Sequence, residues 1–197
     1  MNTQLEENKY LVVENVISDE LLEIANTYYH IKFFMRTAGV DYKVNVGSVL
    51  VEDHDIVQPF SVSDYADAFT ESLLLHNLPK MREVTGIETL EPSYSFTRFY
   101  EKGQWLGKHS DRPSCQYSVT LPLMAFDDTP WIIYVNDSSV DLKLGDMVVY
   151  KGCEAEHWRE PFEGKYQVQA HLHYVDASDP AYEPFVNDGR SSLGMKK

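Results

Sequence analysis

The pattern of apolar and polar positions changes period near residue 90. Before it, two stretches carry apolar residues at helical spacing. In "SDELLEIANTYYHIKFF", Ser18 is a good N-cap, and Leu21, Leu22, Ala25, Tyr28 and Tyr29 recur on one side of a 3.6-residue repeat. The second is "DYADAFTESLLLHNLPKMREVTG", with Ser63 as its predicted cap, Pro79 as a kink and Gly86 as its end. A short strand, "KYLVVENVI", precedes the first helix. Residues 36 to 62 hold two Gly and a Pro and no sustained helical period, which predicts strands joined by a mobile loop, a lid.

Beyond residue 90 the period is two. "SYSFTRFY", "QYSVTLPLMA", "WIIYV", "VDLKL", "DMVVYKG" and "YQVQAHLHYV" read as strands divided by Gly, Pro, Asp and Asn turns. Helices followed by an all-β half predict an α+β, mainly β fold, with the helices packed against an antiparallel sandwich or barrel. The tail from Ala177, with Pro180, Pro184 and Gly189, reads as a surface wrap.

Length and composition narrow the class. A chain of 197 residues with 43% hydrophobic content is long enough for one sizeable core and short for two, so a single domain over 1–197 is expected. The helical support and lid take about 1–90, the β core about 91–176 and the tail 177–197. No apolar run reaches the roughly 18 residues that span a bilayer, and the N-terminus lacks a secretory signal, so the expected location is cytoplasmic, without a membrane partner. Two cysteines, Cys115 and Cys153, fit a reducing compartment and read as buried thiols. The net charge of −14 is spread along the chain and argues against a nucleic-acid partner.

The candidate chemistry lies in "FYEKGQWLGKHSDRPSCQYSVTLPL". "YEKGQW" reads as a hairpin that leaves His109 and Asp111 at the mouth of the β half. A third candidate, His157, follows the "KLGDMVVYKG" strand pair in "KGCEAEHWREPF". Two imidazoles and one carboxylate are the donors of the facial triad that holds non-heme Fe(II) and leaves coordination positions open. Trp105 and Trp158 flank these residues and would wall the site, whereas Trp131 is assigned to the core. His171 and His173 share a strand face without a third ligand at convincing spacing, and read as structural or pocket-lining.

In "YEKGQWLGKHSD", "LKLGDMVVYKG" and "EHWREPFEGKYQVQAHLHYV", the chain from about Tyr10 to about Asp176 resembles the Fe(II)- and 2-oxoglutarate-dependent dioxygenases, in the branch related to prolyl 4-hydroxylases. The resemblance implies a double-stranded β-helix, or jelly roll, with His109, Asp111 and His157 as the iron ligands and Tyr100 as a contact of 2-oxoglutarate. It also implies a hydroxylase that uses O2, releases succinate and CO2, and acts on an unidentified small molecule or peptide, with a prolyl or other peptidyl residue as the family-level expectation.

One position departs from the family. Where a Lys or Arg usually pairs with the far carboxylate of 2-oxoglutarate, this chain has Gln167. Lys165 has the same strand parity, and Arg159 lies just past His157. Arg98 is the third candidate: in "SYSFTRFY" it shares a face with Tyr94, Phe96 and Tyr100, so it points inward and needs either a buried carboxylate or a bound dicarboxylate. The vacant anchor position also leaves open a cupin-like metal dioxygenase that does not use 2-oxoglutarate, and a non-enzymatic binding domain of the same fold.

Overall fold

A computed structural model describes residues 2–37, 51–52 and 62–195 of the chain. Its elements, in order, are α1 (Thr3–Asn8), β1 (Tyr10–Val13), α2 (Asp19–Thr37), β2 (Val51–Glu52), β3 (Val62–Tyr65), α3 (Ala68–Thr85), β4 (Leu90–Glu101), β5 (Leu106–His109), β6 (Tyr117–Ala125), β7 (Ile133–Val135), β8 (Ser138–Val140), β9 (Met147–Tyr150), β10 (His157–Arg159) and β11 (Tyr166–Asp176). The strands form a seven-stranded antiparallel sheet, ordered β1-β9-β6-β11-β4-β3-β2, and a four-stranded one, ordered β5-β10-β7-β8.

Strict alternation in the central strands divides the large sheet into two unlike faces. Val168, Ala170, Leu172 and Tyr174 of β11, with Val119, Leu121 and Leu123 of β6, belong to one core together with Ala25 and Tyr29 of α2 and Leu73, Leu74 and Met81 of α3. The apolar rows therefore meet the helices. Gln167, Gln169, His171 and His173 fall on the opposite face, beside Ser118 and Thr120, towards the small sheet. Ile133, Val135 and Val140 of the small sheet pack on Val148 and Tyr150 and join the two sheets at one end.

Several expectations change in detail. The cap of α3 is Asp67, whose side chain accepts from the backbone N–H groups of Phe69 and Thr70, because Ser63 is already paired within β3. Gly86 ends that helix in the left-handed conformation (φ 71°), as read from the sequence. "YEKGQW" is not a hairpin: both edges of β4 are taken, by β3 and β11, so the chain turns at Gly103 (φ 85°) and β5 pairs with β10 in the other sheet. "VDLKL" is strand only at Val140, since Lys143 and Asp146 form a turn through Asp146 N–H to the Lys143 carbonyl. Most of the lid predicted over 36–62 lies outside the described residues. The tail does not lie only on the surface: buried Asp188 accepts from both Arg112 terminal nitrogens at 3.1 Å and from the Tyr65 hydroxyl at 2.7 Å, and Arg190 pairs with Glu71 at 2.7 Å.

The helical layer is locked by a buried charge network. Lys32 of α2 reaches both Asp64 of β3, at 2.6 Å, and Asp67, which also accepts from Tyr28 at 2.5 Å. Asp67 thus caps one helix and neutralises a cation on another. Asp67→Ala is expected to destabilise the fold by about 2–4 kcal/mol, from a lost cap and a half-compensated buried ammonium. Urea unfolding should show a lower midpoint with an unchanged slope, and a loss below about 0.5 kcal/mol would contradict this role.

Candidate metal centre

His109 ends β5, and His157 begins β10. Antiparallel pairing sets these two residues directly opposite each other, and their ring centroids lie 4.3 Å apart. Asp111 lies in the short segment after β5, held by its own N–H to the Gly152 carbonyl at 2.8 Å. One donor atom from each of the three residues falls within 4.8 Å of the others, and both imidazole Nε2 atoms are 3.6 Å from Asp111 Oδ1. Bonds of roughly 2.1 Å to a cation place neighbouring donors about 3 Å apart, so closing on an ion needs a shift of a few tenths of an ångström.

The surrounding groups set each donor's state. His109 Nδ1–H donates to the Gly107 carbonyl at 2.8 Å, and His157 Nδ1–H to the Ala155 carbonyl at 3.1 Å. Both bonds commit Nδ1 as a donor and turn Nε2 of each ring towards Asp111 Oδ1, where a cation would take the place of a proton. Burial pushes the His157 pKa down and keeps that ring neutral. Burial alone would raise Asp111, but the bond to His109, the imidazoles of His157 and His173 and the Ser118 hydroxyl hold it at about 2. An ionised carboxylate with two imidazole Nε2 atoms turned towards it is the donor set that a divalent ion takes up as it displaces protons. Ser118 donates to Asp111 Oδ2 at 2.8 Å and leaves Oδ1 for the ion.

A cavity of 380 Å³ opens against the triad, walled by Tyr94, Phe96 and Arg98 of β4, Tyr150 of β9, and His171 and His173 of β11. Arg98 therefore faces this space, as its strand parity predicts. Arg159 is two residues past His157 on β10 and fully buried; its guanidinium lies 4.5 Å over the Trp131 ring and donates through Nη1 to the Trp131 carbonyl. Burial lowers its pKa to about 10, which leaves it a cation at neutral pH. Tyr100 is buried against Trp131, edge to face at 4.6 Å, and lies within electrostatic reach of Arg159. Lys165 is exposed, its ammonium 3.7 Å from the Phe126 ring centroid; of the anchor candidates only Arg98 walls the cavity, and Arg159, Tyr100 and Lys165 do not.

Four buried side-chain atoms lack a hydrogen-bond partner among the described residues, and three of them lie on the two strands beside the cavity: Arg159 Nη2, His171 Nε2 and Gln169 Oε1. An unsatisfied buried donor costs about 1–3 kcal/mol, so the cluster marks where a polar ligand would be gained. Trp131 packs with Tyr100 and Phe162, as expected of a core residue. Trp105 is 40% exposed, and Trp158 stacks on Tyr134 at 5.2 Å; neither is among the cavity-lining residues.

Sequence reading missed the supporting groups: Ser118, Gly152, Arg112 and Asp188. The period-two pattern places Ser118 on the inward face, which was the available signal; Asp188 gave none. A second donor set, Asp111, Cys115 and His173, also falls within 4.8 Å. Burial and the Asp111 charge push the Cys115 thiol up, and Ser118 bridges Asp111 and His173, so the two-histidine set is the better cation site.

Gly152 sits where a Cβ would come within 2.2 Å of the Cys115 carbonyl oxygen and 2.6 Å of Asp111 Oδ2. Gly152→Ala must displace the carboxylate. Fe(II) or Ni(II) affinity, measured by equilibrium titration, should fall at least tenfold, with a stability loss of about 1–3 kcal/mol. Unchanged affinity would show that Asp111 is not a ligand.

No protein-family model matches the sequence, and no curated protein matches it. Solved structures do. A Pseudomonas putida prolyl-4-hydroxylase aligns at TM-score 0.60 and 13% identity, over 87% of this chain and 94% of that one. SnoN, a non-heme α-ketoglutarate-dependent epimerase from nogalamycin biosynthesis, aligns at 0.65 and 12% over 98% and 90%. HygX from Streptomyces hygroscopicus, solved with nickel and 2-oxoglutarate bound, aligns at 0.59 and 12% over 86% and 84%. The chain therefore has the fold of the Fe(II)- and 2-oxoglutarate-dependent oxygenases, prolyl-4-hydroxylases among them.

Proposed function

We propose that this chain is an Fe(II)- and 2-oxoglutarate-dependent oxygenase whose two sheets form a double-stranded β-helix, and that it hydroxylates a C–H bond of a substrate such as a prolyl or other peptidyl residue. The observation that carries the reading is the convergence of His109, Asp111 and His157, each prepared as a ligand, on a cavity that Arg98 and His171 also line, His171 with an unsatisfied Nε2. Bound there, ferrous ion and the keto acid would supply O2 activation, with succinate and CO2 as co-products.

The chain's own residues bind, orient and exclude. His109 and His157 offer Nε2, and Asp111 supplies the negative charge that Ser118 holds in place. The far carboxylate of 2-oxoglutarate is assigned to Arg159, with His171 as a second contact through Nε2 and Tyr100 beside the guanidinium. Arg98, on the cavity wall, adds positive potential; His171 lies within electrostatic reach of both arginines. Arg159 thus takes the task for which Gln167 has no charge, and Lys165 is left without one. Leu106, Phe96 and Tyr150 give the cavity an apolar wall that would limit water around a bound keto acid.

His157→Ala should abolish Fe(II)-dependent conversion of 2-oxoglutarate to succinate while the protein stays folded by circular dichroism. Retained turnover would remove the triad, and turnover with no need for the keto acid would favour a cupin-like dioxygenase. Arg159→Ala should raise the 2-oxoglutarate concentration for half-maximal succinate formation at least tenfold, because a charge-assisted contact contributes about 1.5–3 kcal/mol. A larger effect from Arg98→Ala than from Arg159→Ala would move the anchor to Arg98.

A further inference from the structure

Tyr94 and Cys115 form a buried pair in the cavity wall, with the Tyr94 hydroxyl 3.2 Å from Cys115 Sγ. The thiol is also within 4.8 Å of an Asp111 carboxylate oxygen, so it adjoins the metal centre. The tyrosine ring is fixed on three sides: it stacks on Tyr65 at 5.3 Å, lies 4.4 Å from the His173 ring, and carries the Arg112 guanidinium at 4.6 Å. Arg112 is itself held by Asp188. An immobile phenol and a soft, oxidisable thiol are thus kept in contact beside a site assigned to oxygen activation.

We propose that Tyr94 and Cys115 become joined by a thioether bond when the centre turns over O2 without its prime substrate. The proposal rests on the oxygenase reading above. The S–H bond of Cys115 and the C–H bond ortho to the Tyr94 hydroxyl break, and one S–C bond forms. The two hydrogen atoms leave with one atom of O2 as water. The other oxygen atom enters the keto acid as it loses CO2 and becomes succinate. O2 takes two electrons from the keto acid and two from the residue pair, so no further reductant is needed. The link would tie the 3₁₀ turn Pro113–Cys115 to β4 and stiffen the wall between the metal and the cavity mouth.

The test uses the full chain, purified with a chelator and then given Fe(II), 2-oxoglutarate and air, with succinate measured in the same sample. The unfolded chain before turnover has two titratable thiols, Cys115 and Cys153. After turnover one should remain, on Cys153. The tryptic peptides that carry Tyr94 and Cys115 should appear as one species, lighter than their sum by two hydrogen atoms. A sample kept anaerobic should retain both thiols, and Tyr94→Phe should retain both while still forming succinate. Succinate with the two peptides unchanged, or with Cys115 carrying added oxygen instead of the ring, overturns the proposal and leaves the oxygenase reading standing. A cross-link formed without O2 also overturns it. No succinate and no cross-link overturns both.

Discussion

The site depends on one strand pairing. β10 is three residues long, yet it sets His157 opposite His109 on one side and opposite Val135 on the other. Side-chain direction alternates along a strand, so a slip of one residue would send Trp158 inward and the imidazole out to where that indole now stacks on Tyr134. The same alternation gives Arg159 the parity of His157, and it is buried beneath Trp131. Two donors far apart in the chain become neighbours through backbone hydrogen bonds alone. Asp111 then needs only the Gly152 carbonyl and the Ser118 hydroxyl to complete the set.

The large sheet shows how such a site can exist in a stable protein. Its apolar rows face α2 and α3, and that layer carries the main core, from Leu11 through Leu172 and Tyr174. The inner face is freed from packing duty and carries a polar row instead. His173 bonds Ser118 at 2.9 Å, His171 bonds Thr120 at 3.3 Å, and Gln169 bonds Gln167 at 2.6 Å. These cross-links satisfy most of the row, and each atom left without a partner weakens the ligand-free fold slightly. Apolar packing is concentrated on one face and the candidate site on the other.

That division explains what could be read in the sequence. The alternation in "YQVQAHLHYV" and "SYSFTRFY" is strong because both faces are used, and it placed Tyr94, Phe96 and Arg98 on the cavity side. The end of α3 at Gly86 and the Ser18 cap of α2, which accepts from Leu21 N–H at 3.4 Å, are local and followed from residue type. What failed was non-local. The partner of β5 cannot be inferred from "YEKGQW", because it depends on β3 and β11 having already taken both edges of β4. Strands of three residues, such as β8 and β10, are too short to show a period. Asp188 forms its ion pair with Arg112 across 76 positions, and no periodicity in the tail marks it.

The proposed anchor, Arg159, is compatible with the same geometry. A lysine at position 167 would approach from the β11 row that already carries His171 and lies opposite Arg98 on β4. With Arg159 arriving from the other sheet, a third cation there would raise the self-repulsion beside a cavity whose lining holds one carboxylate, Asp111, so a neutral glutamine is the consistent residue. An anchor on β10 would also be coupled to a metal at the triad, since His157 and Arg159 are separated by one residue on a strand pinned by Trp131. On the proposed reading, any shift that weakens the distal ligand also misplaces the carboxylate clamp. Metal and keto acid would then be held by one rigid segment, whereas an anchor on β11 would leave them on two independent strands.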